Sequence, residues 1–120
     1  HVIEISRVRF VDLEPFYWSI AYVPYDLCPE FVDKNFEKHS FFEILKEDFN
    51  IVPTSAVRTI ESYIANHLDV QFLGVKLGAP MSLVESISFF KNQEPFEFSR
   101  NHYRGDRSRF EVVVFPKSEK

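Results

Sequence analysis

Two arginines separated by one residue, Arg7 and Arg9, stand out near the start of the chain as groups that could do chemistry. In an extended segment both project to one face, where two planar guanidiniums can clamp a phosphate or carboxylate through bidentate hydrogen bonds. Toward the other end, the alternating segment from Phe96 to Tyr103 puts Glu97, Ser99, Asn101 and Tyr103 on a common face. A carboxylate and a phenol so spaced suit polar recognition inside a cavity. Phe96, Phe98, Arg100, His102 and Arg104 take the opposite face. Each pattern has a plainer counterpart. Alternation assigns a face and not its environment, so the Glu97 face also fits a solvated surface. The arginine pair also fits a surface ladder of ion pairs to Glu61, Glu85 or Glu97.

Other routes to chemistry lack support in the residues. His1, His39, His67 and His102 are far apart, with no HxH, HxxxH or CxxC spacing, so neither a metal nor another cofactor is expected. No GxSxG, Cys-His-Asn or GxxxxGK[ST] signature is present. Asp106 among Arg104, Arg107 and Arg109 reads as a pin for a bend, with a catalytic carboxylate as the alternative. Cys28 reads as a small buried hydrophobe.

The 120 residues suffice for one domain with a substantial core. A net charge of −4 argues against direct nucleic-acid binding by this stretch. Fourteen Phe point to a thick core, an apolar interface or a pocket. A single Cys excludes an internal disulfide framework and fits a reducing cytoplasm. No apolar run reaches the length of a membrane span and no signal peptide leads the chain. Opening directly on a strand-like pattern, the chain reads as part of a longer protein.

The elements that position these residues follow from periodicity. Residues 2–10 alternate as a strand, with Ile3, Ile5, Arg7 and Arg9 on one face, and a turn at residues 11–15 leads into a second strand from Phe16 to Val23. This hairpin has an echo: RFVDLEPFYWS (9–19) and FFKNQEPFEFS (89–99) share a polar turn, Glu-Pro-Phe and a Ser four residues after the Pro. A duplicated hairpin predicts an approximate two-fold arrangement with a cleft between the halves. Ser40 and Glu43 form a capping box for a helix of about ten residues closed by Asn50. Residues 54–64 read as a strand, Asn66 caps a short helix through Leu73 with Gly74 as its stop, and Met81 to Phe90 read as a strand. Gly105 is expected to supply a positive φ at the bend 104–107, after which the β-branched run from Phe110 to Phe115 makes a final strand. The sum is α+β, an antiparallel sheet of about six strands flanked by helices.

Three stretches, taken in order, resemble the effector-binding (UTRA) domain of HutC-type GntR-family bacterial transcription regulators. They are SRVRFVDLEPFYWSIAYVP, then SFFEILKEDFNI with RTIESYIANHLDVQFLGVKLGAP, then NQEPFEFSRNHYRGDRSRFEVVV. The resemblance implies a chorismate-lyase-like fold over residues 1–120, a small anionic effector such as a sugar phosphate or another carboxylate or phosphate, a homodimer, and DNA contact only through an N-terminal winged helix-turn-helix absent from this chain. It implies no role at a membrane. By position it assigns effector contacts to Arg7, Arg9, Glu97, Tyr103 and Ser40, or its neighbour His39. Ser19 stands where many members carry a Glu, which weakens a sugar-phosphate effector and leaves room for a more apolar carboxylate. Leu13 in place of the turn glycine implies a change of turn type. The alternative is an enzyme similar to chorismate lyase, acting on an aromatic carboxylate.

Overall fold

The computed structural model describes residues 2–25, 43–44, 46–47, 50, 52, 54–90 and 93–116. Among the described residues, five strands form a single antiparallel sheet: β1 (Val2–Val11), β2 (Glu14–Pro24), β3 (Ser55–Ile64), β4 (Pro80–Phe89) and β5 (Pro95–Arg104). Their spatial order is β1-β2-β5-β4-β3, so the two hairpins meet at the β2–β5 pair and β3 is an edge. The fold is α+β, an antiparallel sheet with helical segments packed on it. Among the described residues the strand expected from Phe110 to Phe115 does not form, and residues 108–116 carry no regular structure. A β-branched run needs a ladder partner, and no described strand of the chain supplies one.

The duplicated hairpin is visible in the register. Ile20 pairs with Arg100, its own counterpart in the echo, so an approximate two-fold axis passes between them. Both hairpins also shift register at the same place. Arg9 pairs with Tyr17 and Phe10 with Pro15, leaving Phe16 unpaired. Ser88 pairs with Glu97 and Phe89 with Pro95, leaving Phe96 unpaired. A bulge turns a side chain out of strict alternation. Phe96 therefore joins the cluster of Ile3, Ile5, Ala21, Val23 and Ile44, on the face of Glu97 and not on the opposite face that alternation alone assigns.

The first hairpin closes through Asp12 and Leu13, both left-handed with φ of 50° and 69°, as a type I′ turn demands. Leu13 takes a left-handed backbone that favours glycine and bears strain of about 1 kcal/mol. Gly105 is needed for a different reason from the expected one. Its φ is not positive. Its N–H donates to the Pro80 carbonyl at 2.9 Å, and a Cβ there would lie 2.5 Å from that oxygen.

The single helix with defined bounds is α1 (His67–Leu73), capped by Asn66, whose side chain accepts from Leu68 N and Asp69 N. Gly74, left-handed at φ 68°, ends it. Of the other expected helix, Glu43, Ile44, Lys46 and Glu47 are helical and Asn50 takes a terminating φ of 56°; Ser40, His39, Phe41 and Cys28 lie outside the described residues. Ile44 packs on the face that carries Arg7, and α1 covers the reverse face over Trp18, Ala65, Leu73 and Met81.

The reverse face is anchored by a closed polar network. Asp69, wholly buried, accepts at one oxygen from Trp18 Nε1 and from the Tyr63 hydroxyl, each at 2.8 Å. Its other oxygen accepts from the Asn66 backbone N–H at 2.9 Å. Tyr63 also meets His102 Nδ1 at 2.8 Å. Because the phenol has one proton and gives it to Asp69, His102 Nδ1 carries the hydrogen of this second bond. His102 stacks on Trp18 with centroids 4.0 Å apart. Burial lowers the His102 pKa, and burial with the Asp69 bond raises that of Tyr63, so both stay neutral.

Candidate functional site

Cross-strand pairing aligns side chains in rows across one face of the sheet. One row runs Arg7, Ser19, Asn101, Val84, Ile60, and the next runs Ile5, Ala21, Ser99, Ser86, Arg58. Residues opposite one another in a ladder share a face, so five strands of alternating polarity build a single polar floor. That floor lines a cavity of about 620 Å³ whose wall includes Arg7, Arg9, Tyr17, Ser19, Arg58, Glu97 and Tyr103. Of the sequence-predicted residues, the structure thus brings together Arg7, Arg9, Ser19, Glu97 and Tyr103, while Ser40 lies outside the described residues.

The electrostatics separate this cavity from a surface ladder. Glu85 sits on the reverse face and pairs with Arg100 at 3.3 Å. Glu61 pairs with Leu83 in the ladder and shares that reverse face. Arg7 Nε and Nη1 are buried without a hydrogen-bond partner, and so is Glu97 Oε1. Arg7 loses solvation and lies beside Arg9, both of which lower its pKa. Burial pushes the Glu97 carboxyl up to about 7, against the opposing pull of Arg58 and then Arg7. A buried guanidinium and a buried carboxyl left open in one cavity are costly to the fold alone.

The remaining polar groups are ordered. Asn101 Nδ2 donates to the Val84 carbonyl at 3.1 Å and to Ser99 Oγ at 3.2 Å, which fixes the amide on the floor. Tyr17 and Tyr103 stack at 4.6 Å across the β2–β5 ladder and form one aromatic wall. Burial, then Tyr17, raises the Tyr103 pKa, keeping its phenol a donor. Asp106 lies away from the cavity, held by Arg104 at 3.1 and 3.0 Å, which lowers its pKa. It pins the bend.

Sequence reasoning missed Arg58, Tyr17, Ser86 and Asn101's anchoring role. Tyr17 was within reach, because it is the cross-strand neighbour of Arg9 in the hairpin that the turn specifies. Arg58 gave no signal: its strand is exposed on both faces and shows no alternation.

A polar cavity on one face of a five-stranded antiparallel sheet, with helices packed on it, defines a small-molecule-binding α+β domain. The UTRA domain family matches residues 1–109, and the chain belongs to that family. The HTH-type transcriptional repressor NagR of Bacillus subtilis (strain 168) is 30% identical over 108 residues, 89% of this chain and 44% of NagR. PhnF from Mycobacterium smegmatis superposes with a TM-score of 0.90 at 24% identity, over 97% of this chain and 51% of that one. A GntR-family transcriptional regulator from Enterococcus faecalis V583 does so with a TM-score of 0.84 at 27% identity, over 94% and 81%. The chain is an effector-binding domain of the GntR-regulator type, and it spans less than half the length of the curated relatives it matches.

Proposed function

We propose that residues 1–120 bind an anionic metabolite in this cavity and thereby control DNA contact by a winged helix-turn-helix domain attached at the N-terminus. The observation that carries this reading is the buried, unpartnered edge of Arg7 beside Arg9. An anion there would accept from Nε and Nη1 and repay their desolvation. Glu97, Tyr103, Ser19 and Ser40 complete the effector contacts, Ser40 from the segment before Glu43. NagR and its relatives are named repressors, which supports a sensor without catalysis. Coupling to DNA is limited by the effector's differential affinity for two states of the domain.

The protein works in the cytoplasm as a homodimer on this reading. No helix among the described residues is long and apolar enough to cross a membrane. Val112, Val113, Val114 and Phe115 are 65–82% exposed, and the edge strand β3 exposes Val57, Ile60 and Ile64. A second copy would cover both. Sedimentation velocity checks this: Val113→Lys should shift the domain toward monomer, and an unchanged dimer removes the assignment.

The effector reading is tested by thermal shift against sugar phosphates, phosphonates and aromatic or aliphatic carboxylates. A ligand at one hundred times its Kd should add about 2.7 kcal/mol of stability. Arg9→Ala should abolish that gain. The reading fails if no anion raises the melting temperature, or if every hit survives in Arg9→Ala.

A further inference from the structure

The cavity holds more positive charge than one anionic group requires. Arg7 and Arg9 enter from β1, one edge of the sheet, while Arg58 enters from β3, the other edge. Four strand spacings separate these edges, about 19 Å of backbone at roughly 4.8 Å per spacing. Arg58 lies at the end of the row that runs through Ser86 and Ser99, adjacent to the row that begins at Arg7. Among the described residues Arg58 makes no ion pair or hydrogen bond, and Glu85, which pairs with Thr59 on the reverse face, is engaged by Arg100. Its charge is nevertheless felt inside: of the arginines acting on the Glu97 carboxyl, Arg58 acts more strongly than Arg7. It also opposes the rise at Tyr103 on the central strand.

We propose that Arg58 is a second anion-binding arm, so that the cavity selects a ligand with two separated anionic groups, one at Arg7 and Arg9 and one at Arg58. This inference rests on the effector reading above and names the ligand class within it. Among the described residues, two acidic side chains line the cavity. Glu111 is engaged at 3.8 Å by Arg109. Glu97, raised to about 7, is partly protonated at neutral pH and cannot neutralise three guanidiniums. A single anion held at Arg7 and Arg9 would leave Arg58 facing the cavity without a counter-charge, whereas a second anionic group would occupy it. Between the two ends the floor offers Ser19, Asn101, Ser99 and Ser86, neutral groups suited to the hydroxyls or carbonyls of a spacer.

The test uses probe pairs of matched length that differ in one anionic end: sorbitol 6-phosphate against 6-phosphogluconate, and pentanoate against glutarate. Titration calorimetry at low ionic strength reads the dissociation constants on the wild type, Arg58→Ala, Arg58→Lys and Arg9→Ala. The doubly anionic member of at least one pair should bind about tenfold tighter or better, as a charged hydrogen-bonded contact implies. Arg58→Ala should erase that advantage while leaving the singly anionic member within about twofold, and Arg58→Lys should keep part of it through the retained charge. Arg58 is exposed on an edge strand, so an unchanged melting temperature serves as the folding control. An advantage that is absent in the wild type, or that persists in Arg58→Ala, overturns the role of Arg58 while binding lost in Arg9→Ala leaves the effector reading standing. If no probe of either pair binds although another anion of the thermal-shift panel raises the melting temperature, the two-anion assignment falls and the effector reading stands.

Discussion

Asp69 and Glu97 are both buried carboxyl groups, 0% and 5% exposed, on opposite faces of one sheet. Asp69 accepts from three donors at 2.8 to 2.9 Å, and every bond comes from the chain itself. Glu97 has an open oxygen, and Arg7 in the same cavity has two open nitrogens that it does not engage. Folding has therefore spent its polar pairing on the α1 face and left the other unfinished. Satisfied networks fix a structure, and unsatisfied ones await a partner. The contrast separates a carboxylate that the fold satisfies from one that it leaves open.

The widest separation should come from stability. Asp69→Ala strands the Trp18 indole N–H and the Tyr63 hydroxyl and removes half of the α1 cap, so urea unfolding should show a loss of about 3–5 kcal/mol. Glu97→Gln at pH 8 should cost nothing, or stabilise, because it removes an open buried charge. Equal losses in the two variants would dissolve the contrast.

A smaller effect sharpens it by pH. The folded Glu97 carboxyl titrates at about 7 against an ordinary value of 4.5. Between those values the native state holds a proton that the unfolded chain has released. Stability contributed by this group is thus full below pH 4.5, declines as pH rises, and is lost above pH 7. The decline should be of order 1–3 kcal/mol. Comparing wild type with Glu97→Gln across pH 5 to 8 isolates it, and an identical pH slope in both would remove Glu97 as its source.

Smallest is Tyr63→Phe, which deletes one donor to Asp69 and one acceptor for His102. About 1–2 kcal/mol should be lost in thermal unfolding, with anion binding unchanged. A parallel loss of binding would show that the two faces are coupled.

Much of the cavity was legible from residue order because strand alternation is a local property. Glu97, Ser99, Asn101 and Tyr103 share a face as period two requires, and the Asn66 cap with the Gly74 stop bounds α1 as local chemistry dictates. What escaped depends on distant chain. A bulge is a mismatch between two strands, so Phe96 was assigned to the wrong face. The close approach of Pro80 that makes Gly105 necessary is a tertiary contact. Arg58 joins the site only because β3 lies beside β4, a pairing no single strand announces.

The exposed run from Val112 to Phe115 has a consequence for the handling of the protein. Four consecutive apolar residues, three of them β-branched, form an exposed adhesive run that only Glu111 and Pro116 interrupt, one at each end. The dimer proposed above and aggregation would therefore draw on the same residues. Protein concentration sets the pace of both, and the half-life of a stock solution becomes a readout of how well that segment is covered.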